Sequence, residues 1–552
     1  MPTFKVGNVW SCLVGASGPI SGRVLDACSL VYSYYISRKR LGAKGWAQAP
    51  ERLERTLRFG TADRFPTGWL SKVIEVVSKE DNSSLQVINE VVRPETPLDL
   101  FDLKKPKLTL FSDQEQAVET AITKERGVLK IATGGGKTLI GEYLAYRLKV
   151  PTLYVVPNRL LLYQVYNDFV QDFGKGVVGL VGDGEFKPAL ITVAIVHSLW
   201  RRREEAEIRA LLNSFGLLIV DECHVMGFSR VKGKAGRPRT ANMWYEIAKE
   251  CPAYYRFGLT ATPEKEGSLN GELLKAMTGE TIVDLSASEL ISSGRLSKPK
   301  VILHYSHCRA VPASDRTNYR RVYQQSVLEN RERNSKMVEI ASVYAQQGKS
   351  VLITVSRVRE HGVPLQAMFP RGVARLVTGE TPKPLRERIL RDFSSRKFPV
   401  LIGTVFKIGF NAPHLDVLII ADAGKREIAV EQKVGRVMRL FKGKEATVVD
   451  FIDDDNSVAL KHSLLRLNYY LSEDEFEIES VGFSVPEIMG RRPYLFGAKA
   501  LEKGGKGCSD VKMVEGDRKR IAETPVSVHL TTFRNLRGFP PGSGKSRKPV
   551  DA

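Results

Sequence analysis

The stretch that most limits what this chain can fold into runs from Gly127 to Tyr143: Gly-Val-Leu-Lys-Ile-Ala-Thr-Gly-Gly-Gly-Lys-Thr-Leu-Ile-Gly-Glu-Tyr. It reads as strand, glycine loop, helix. Val128 to Ile131 is an apolar-rich run that can end a buried strand, and Leu139 onward can be helical. Gly134, Gly135 and Gly136 allow a tight turn that brings backbone N–H groups against a phosphate. Lys137 adds a point charge for outer phosphates, and the Thr138 hydroxyl suits Mg²⁺. Thr133 precedes the glycines in the same loop. The strict phosphate-loop pattern opens with a Gly where Ile131 stands, so this stretch alone also suits a glycine turn that binds nothing.

The downstream residues weigh against that bland alternative. Thr152 to Val156 is β-rich and leads to Pro157-Asn-Arg159; Ala189 to Val196 is strand-like and leads to His197-Ser198. Gly216 to Val220 is wholly apolar and ends in Asp221-Glu222-Cys223-His224, and Arg256-Phe-Gly-Leu-Thr-Ala-Thr-Pro263 sets Thr260 and Thr262 after another strand. Strands separated by helical runs argue for an α/β fold with a parallel sheet, whose ligands collect at the carboxyl ends of strands. Lys137 and Asp221 both fall at such ends. A carboxylate at 221 can hold Mg²⁺, and Glu222 can orient and deprotonate a water. The acidic pair could instead cap a helix, but a phosphate loop needs a metal partner here. Upstream, Gln114 can read an adenine edge through its two-faced amide, and Phe111 can stack on the ring.

Length and charge set the partner. A chain of 552 residues implies roughly three or four domains. Lys and Arg outnumber Asp and Glu by 83 to 62, a net charge of +21, and so large an excess favours a polyanion, nucleic acid being the commonest. The six cysteines are scattered without a CxxC pair, which argues against zinc ribbons and disulfides and suits a reducing, cytoplasmic setting. His304-Tyr-Ser-His307-Cys308 reads as a solvated strand end. No apolar run approaches a membrane span. Ser29 to Trp46 interleaves Tyr32, Tyr34, Tyr35 and Trp46 with Arg38, Lys39, Arg40 and Lys44, which suits either base stacking beside phosphates or a helix with its tyrosines inward. Ser229 to Thr240 carries Arg230, Lys232, Lys234, Arg237 and Arg239, and is expected to touch phosphates. Residues 483 to 552 hold 14 Lys/Arg against 7 Asp/Glu; Gly542-Ser-Gly-Lys-Ser546 there mimics a phosphate loop but has no strand before it.

Gln114, Ala-Thr-Gly-Gly-Gly-Lys-Thr, Pro157-Asn-Arg, Asp-Glu-Cys-His and Thr-Ala-Thr, in this order, resemble the first RecA-like domain of a superfamily 2 helicase. That family tolerates a non-Gly at the start of the loop. The second half continues the likeness: Ser350 to Ser356 with Arg357, Leu376-Val-Thr378-Gly379-Glu, Val400-Leu-Ile-Gly-Thr404 through Gly409 to Pro413, and Gln432-Lys-Val-Gly-Arg436-Val-Met-Arg439. Three residues depart from the usual pattern: Phe111 and Lys433 replace Arg, and Asn411 replaces Asp. Phe65-Pro-Thr-Gly more weakly resembles the phage UvsW-type helicases that act on branched DNA.

The resemblance implies two tandem RecA-like parallel-sheet domains, at 105–287 and 288–460, after a small accessory domain at 1–104 and before a basic extension at 461–552. It implies an ATP and Mg²⁺ site in the cleft between the two domains. Phe111, Gln114, Thr133, Gly134, Gly135, Gly136, Lys137 and Thr138 would bind ATP; Thr138 and Asp221 would hold the metal; Glu222 would act as base. Arg436 and Arg439, three apart on one helix face, would serve as arginine fingers. His224, Thr260, Thr262, Gly409 and Gln432 would couple the site to movement. Pro157, Arg159 and Ser198 in one domain, and Arg357, Thr378, Gly379 and Thr404 in the other, would grip a nucleic-acid strand. The implied activity is 3′→5′ DNA translocation and remodelling of branched DNA by a monomer. An RNA-stimulated ATPase, a restriction-system motor subunit and a non-catalytic DNA-binding protein are the alternatives.

Overall fold

In a computed structural model, the chain forms two compact units: Met1–Ile131 with Gly136–Leu285, and Ala132–Gly135 with Ser286–Ala552. The structure describes residues 2–36, 51–80, 85–97, 102–225, 229–232, 238–241, 243–262, 268–306, 319–404, 413–424, 427–454 and 457–505. Gly409, Asn411, His307, Cys308, the cations at 38–44 and the 542–546 loop lie outside these residues, as do Lys234 and Arg237.

The first unit is built on an eight-stranded sheet. Its strands lie in the spatial order Glu185–Lys187, Val178–Gly182, Ile191–Ile195, Thr152–Val156, Leu217–Asp221, Tyr255–Thr260, Arg126–Ile131 and Thr281–Leu285. All pairings are parallel except that of the short edge strand Glu185–Lys187. Every residue of Thr152–Val156, Ile191–Ile195 and Leu217–Asp221 is buried, as expected for parallel strands covered by helices on both faces. The helices Lys137–Leu148 and Arg159–Phe173 contribute Ile140, Leu144, Leu162, Val165 and Phe169 to one core. Asn158 begins the second of these helices by accepting from the N–H groups of Leu160 and Leu161, both at 3.0 Å.

A smaller sheet sits at the N-terminus, in the order Arg64–Pro66, Trp10–Val14, Thr3–Val6 and Gln86–Asn89. Its docking onto the large sheet's helices explains the Phe65-Pro-Thr-Gly-Trp motif. Thr67 ties this turn to the first two strands through Gly7 O at 2.8 Å and Ser11 Oγ at 3.0 Å. Gly68 packs so closely on the helix Leu269–Thr278 that a Cβ would lie 2.0 Å from the Lys275 carbonyl oxygen. Trp69, fully buried, donates its indole N–H to Glu272 O at 3.1 Å. Asn8 adds a second clasp, donating to Pro252 O and accepting through its backbone carbonyl oxygen from Arg126. Of the segment that suited either stacking or a helix, the described part is a strand: Ser29–Ile36 pairs antiparallel with Glu51–Arg58, and Trp46 lies outside the described residues.

The second unit holds a seven-stranded, wholly parallel sheet in the order Ala374–Val377, Val400–Gly403, Val351–Thr354, Val417–Ile420, Ala446–Asp453, Pro299–Ser306 and Glu477–Val481. The last strand shows that this sheet extends past residue 460. His304 lies in the strand Pro299–Ser306 and is buried, so the solvated strand end expected there is instead part of the core. Burial lowers the His304 pKa to about 4 and keeps its ring neutral.

Candidate active site

The glycine loop joins the strand Arg126–Ile131 to the helix Lys137–Leu148, as the sequence predicts. Gly134 and Gly136 adopt φ of +93° and +86°, conformations that side chains disfavour. Gly136 is held closely from below: a Cβ there would lie 2.4 Å from Gln114 Nε2. Gln114 is itself buried, and its Oε1 accepts from Phe111 N–H at 2.9 Å at the start of the helix Ser112–Lys124. The loop, Gln114 and Phe111 are therefore brought together, with Phe111 left exposed.

The neighbouring strand ends supply acids and hydroxyls. Leu217–Asp221 ends at Asp221, and the chain turns sharply through Glu222 at φ +49°. That turn lets Glu222 N–H donate to Asp221 Oδ1 at 2.8 Å and sends the two carboxylates in different directions. Glu222 Oε1 lies 3.4 Å from Lys137 Nζ, and Glu222 Oε2 lies 3.3 Å from His224 Nδ1 without hydrogen-bond geometry. His224 Nδ1 also sits 2.9 Å from Thr260 Oγ1, which accepts from Thr262 N–H at 3.1 Å. Lys137, Glu222, His224, Thr260 and Thr262 thus form one connected constellation across three strand ends. Cys223 turns inward and is fully buried, packed so closely that a Cβ on Gly258 would meet its Sγ at 2.9 Å.

The electrostatics fit a cation and an anion. Burial lifts the Asp221 pKa above the usual carboxylate range; the charge on Glu222 adds to this and Lys137 opposes it. The Tyr154 hydroxyl lies close enough to Asp221 to shift both groups, but it makes no hydrogen bond of regular geometry. Burial also lowers the His224 pKa, so its ring is neutral near pH 7. The Thr133 hydroxyl is buried without a hydrogen-bond partner, and so is Glu222 Oε2. A Mg²⁺–nucleotide fits this donor set: Thr138 and Asp221 would hold the metal, which supplies charge neutralisation for the phosphates. Among the described residues no group of three or more His, Cys, Asp or Glu is arranged for a metal, so phosphate and water would supply its remaining ligands. Tyr154 was not legible as part of the site, because a tyrosine in a buried strand carries no signal beyond core packing.

The expected nucleic-acid residues gather at strand ends within each sheet. Pro157 and Arg159 follow Thr152–Val156, Ser198 follows Ile191–Ile195 in the helix Val196–Arg202, and Arg159 pairs with Asp183. In the second unit, Arg357, Thr378 with Gly379, and Thr404 follow three adjacent strands, Val351–Thr354, Ala374–Val377 and Val400–Gly403. The Thr378 hydroxyl accepts from Glu380 N–H at 3.1 Å, which fixes the turn.

The arginine pair requires a correction. The helix Glu427–Val437 carries Gln432 and Arg436, but it ends before Arg439. Ser297 N–H takes the Met438 carbonyl at 2.7 Å, and Arg439 pairs with Leu296 in an antiparallel bridge. The two arginines therefore do not share a helix face. Arg439 is half-buried, and that burial lowers its pKa, while Lys444 donates to its carbonyl oxygen at 2.5 Å. Lys433, one of the departures, is also explained: it is buried and reaches both oxygens of Asp422, at 2.6 and 2.7 Å. A lysine there is a compact partner for a carboxylate just beyond the strand Val417–Ile420, and it anchors the helix bearing Arg436.

Comparison with known proteins agrees with this layout. Residues 107–265 match the family described as type III restriction enzyme, res subunit, and residues 332–441 match the helicase conserved C-terminal domain. The DNA 3'-5' translocase XPB2 of Sulfurisphaera tokodaii is 25% identical over 392 residues, covering 64% of this chain and 83% of that protein. The ATP-dependent DNA helicase uvsW of Enterobacteria phage T4 is 24% identical over 380 residues, covering 65% and 72%. The crystal structure of T4 UvsW aligns at 19% identity and TM-score 0.36, covering 87% of this chain and 99% of that one. With both helicase domains present, in order and each on its own parallel sheet, the chain is an ATP-driven helicase of superfamily 2.

Proposed function

We propose that the protein is an ATP- and Mg²⁺-dependent DNA translocase of 3′→5′ direction that remodels branched DNA such as forks and junctions. Lys137 and the loop residues Thr133 to Gly136 bind the phosphates, Thr138 and Asp221 hold Mg²⁺, and Glu222 takes the proton of the attacking water. Arg436 and Arg439 are the cations that the second unit contributes to hydrolysis. His224 and Thr260 relay the state of Glu222 to Thr262, and Gln432 serves the same coupling from the second unit. Pro157, Arg159, Ser198, Arg357, Thr378, Gly379 and Thr404 hold the tracked strand.

The observation that carries this reading is the contact of Glu222 with Lys137 on one side and His224–Thr260 on the other. A base touching both the phosphate-binding lysine and a hydroxyl relay is what hydrolysis coupled to movement requires. The DNA substrate and direction are supported by relatives described as a DNA 3'-5' translocase and a DNA helicase. No helix among the described residues is long and apolar enough to cross a membrane.

The test is ATPase and unwinding measured side by side on single-stranded DNA, forks, four-way junctions and RNA, with polarity read on partial duplexes of either tail. The reading expects strongest stimulation by branched DNA and unwinding only from a 3′ tail. RNA stimulation exceeding that of every DNA would sink it.

A further inference from the structure

Residues 371–397 carry eight Lys/Arg against three Asp/Glu, a net +5 in 27 residues of a chain whose total is +21. The structure gathers this segment on one flank of the second unit. Ala374–Val377 is the edge strand of its sheet, and the helix Lys383–Ser394 follows it. Between them lies a groove of about 490 Å³ lined by Gln366, Phe369, Arg371, Arg375 and Ile389, among others. Arg371 and Arg375, which line it, are exposed, and so are Arg388 and Arg391 on the neighbouring helix. Two of the three acids in the segment are already engaged: Asp392 accepts from Lys397 at 2.8 Å, and Glu380 lies 3.5 Å from Arg359; the third, Glu387, is exposed between Arg386 and Arg388 and leaves the flank with its net positive charge. Arg371, Arg375 and Arg391 make no ion pair among the described residues.

We propose that this arginine-lined groove binds the phosphate backbone of a double-helical DNA arm, separate from the strand tracked at Arg357, Thr378 and Thr404. The choice of a duplex follows from what the groove lacks. Single-stranded nucleic acid is held by exposed aromatic rings as well as charge. Here the two rings at hand are buried: Phe369 lines the groove floor, and Phe398 is covered, with the Arg375 guanidinium 5.6 Å from its ring centre. Charge without a stacking platform suits phosphates whose bases are already paired. The position fits as well: the turn at Arg371 leads into the strand Ala374–Val377, roughly 13 Å long at strand rise, and Thr378 follows its far end.

This inference rests on the DNA reading above, and the experiment separates the two. The triple variant R371Q/R375Q/R391Q is compared with the unaltered protein for binding to a fork, a blunt duplex and single-stranded DNA across a salt series. Removing one arginine–phosphate pair lowers the slope of log affinity against log salt by about 1, so the fork and duplex slopes should fall by roughly 2–3. Fork affinity should drop at least about tenfold at low salt, while single-strand affinity and single-strand-stimulated ATPase stay as they were. Unchanged slopes on fork and duplex would overturn the proposal and leave the groove to an acidic protein partner. Failure of the unaltered protein to bind any DNA would sink the functional reading instead. If the triple variant melts early, R371Q/R391Q keeps Arg375 on Phe398 and gives the same test with a slope change of about 2.

Discussion

Both sheets carry acidic residues in or just after their strands, yet treat those acids in opposite ways. In the first unit Asp221 is buried with its pKa raised, and Glu222 meets Lys137 and His224 only at 3.3–3.4 Å. In the second, three buried or half-buried acids each have a close cation. Asp450 accepts from Arg466 at 2.7 and 3.2 Å and from Tyr470 at 2.8 Å; Asp453 accepts from Arg333 at 2.8 Å; Asp422 holds Lys433 at 2.6 and 2.7 Å. The Asp221–Glu222 strand end keeps its negative charge under-compensated, as a site that takes a metal requires. The other sheet neutralises its own charge and uses it to fix strands and helices.

The sharpest way to break this comparison is to remove one charge from each sheet. Arg466→Met leaves Asp450 buried and uncompensated, and should cost about 3–5 kcal/mol of unfolding free energy. Asp221→Asn removes a charge that the fold already disfavours, so stability should match or exceed the unaltered protein while ATP hydrolysis is lost. Denaturant unfolding of both variants reads the contrast; equal destabilisation would erase it.

Next in size is the lysine anchor. Lys433→Met strips the partner from Asp422 and should destabilise by roughly 3 kcal/mol. Lys433→Arg keeps the charge and should retain most of that stability. Thermal melts of the two variants, with ATPase measured at saturating DNA, check this. Equal melting of Met and Arg variants would show that charge is not what Lys433 supplies.

The smallest effect sharpens the picture inside the first unit. Glu142, on the helix after the glycine loop, is buried, and its pKa is raised to about 8 by burial and by the charges of Asp172 and Asp168. In the unfolded chain it would ionise near 4.5. The folded form holds the proton longer, so this group's contribution to stability falls as pH rises from about 4.5 to about 8, and is level above that. Glu142→Gln should therefore melt higher than the unaltered protein by about 2–4 °C at pH 8, with the gap closing toward pH 5. A gap that is constant with pH would contradict the raised pKa.

Much of the architecture could be read from local signals. The glycine loop, the buried runs at 152–156 and 217–221, and the acids following one of them are set by residues adjacent in sequence. What could not be read depends on distant partners. Arg439 keeps helical spacing from Arg436, but Ser297 and Leu296 capture the backbone at 438 and 439 and end the helix early. Lys433 looks like a weakened arginine until Asp422, eleven residues upstream, is seen to hold it. The residues around Trp69 give no local sign of its partner, and only the tertiary fold shows it closing the joint between the N-terminal sheet and Glu272. Local chemistry sets what a residue can do; the partner decides what it does.

The account rests on the first unit's acids and lysine acting on a nucleotide, and Glu222→Gln tests that most directly. Mg²⁺–ATP binding and DNA-stimulated turnover are measured on the same preparation. The account predicts nucleotide affinity close to that of the unaltered protein, with turnover reduced roughly 10²–10⁴-fold. Turnover at the original rate would contradict it.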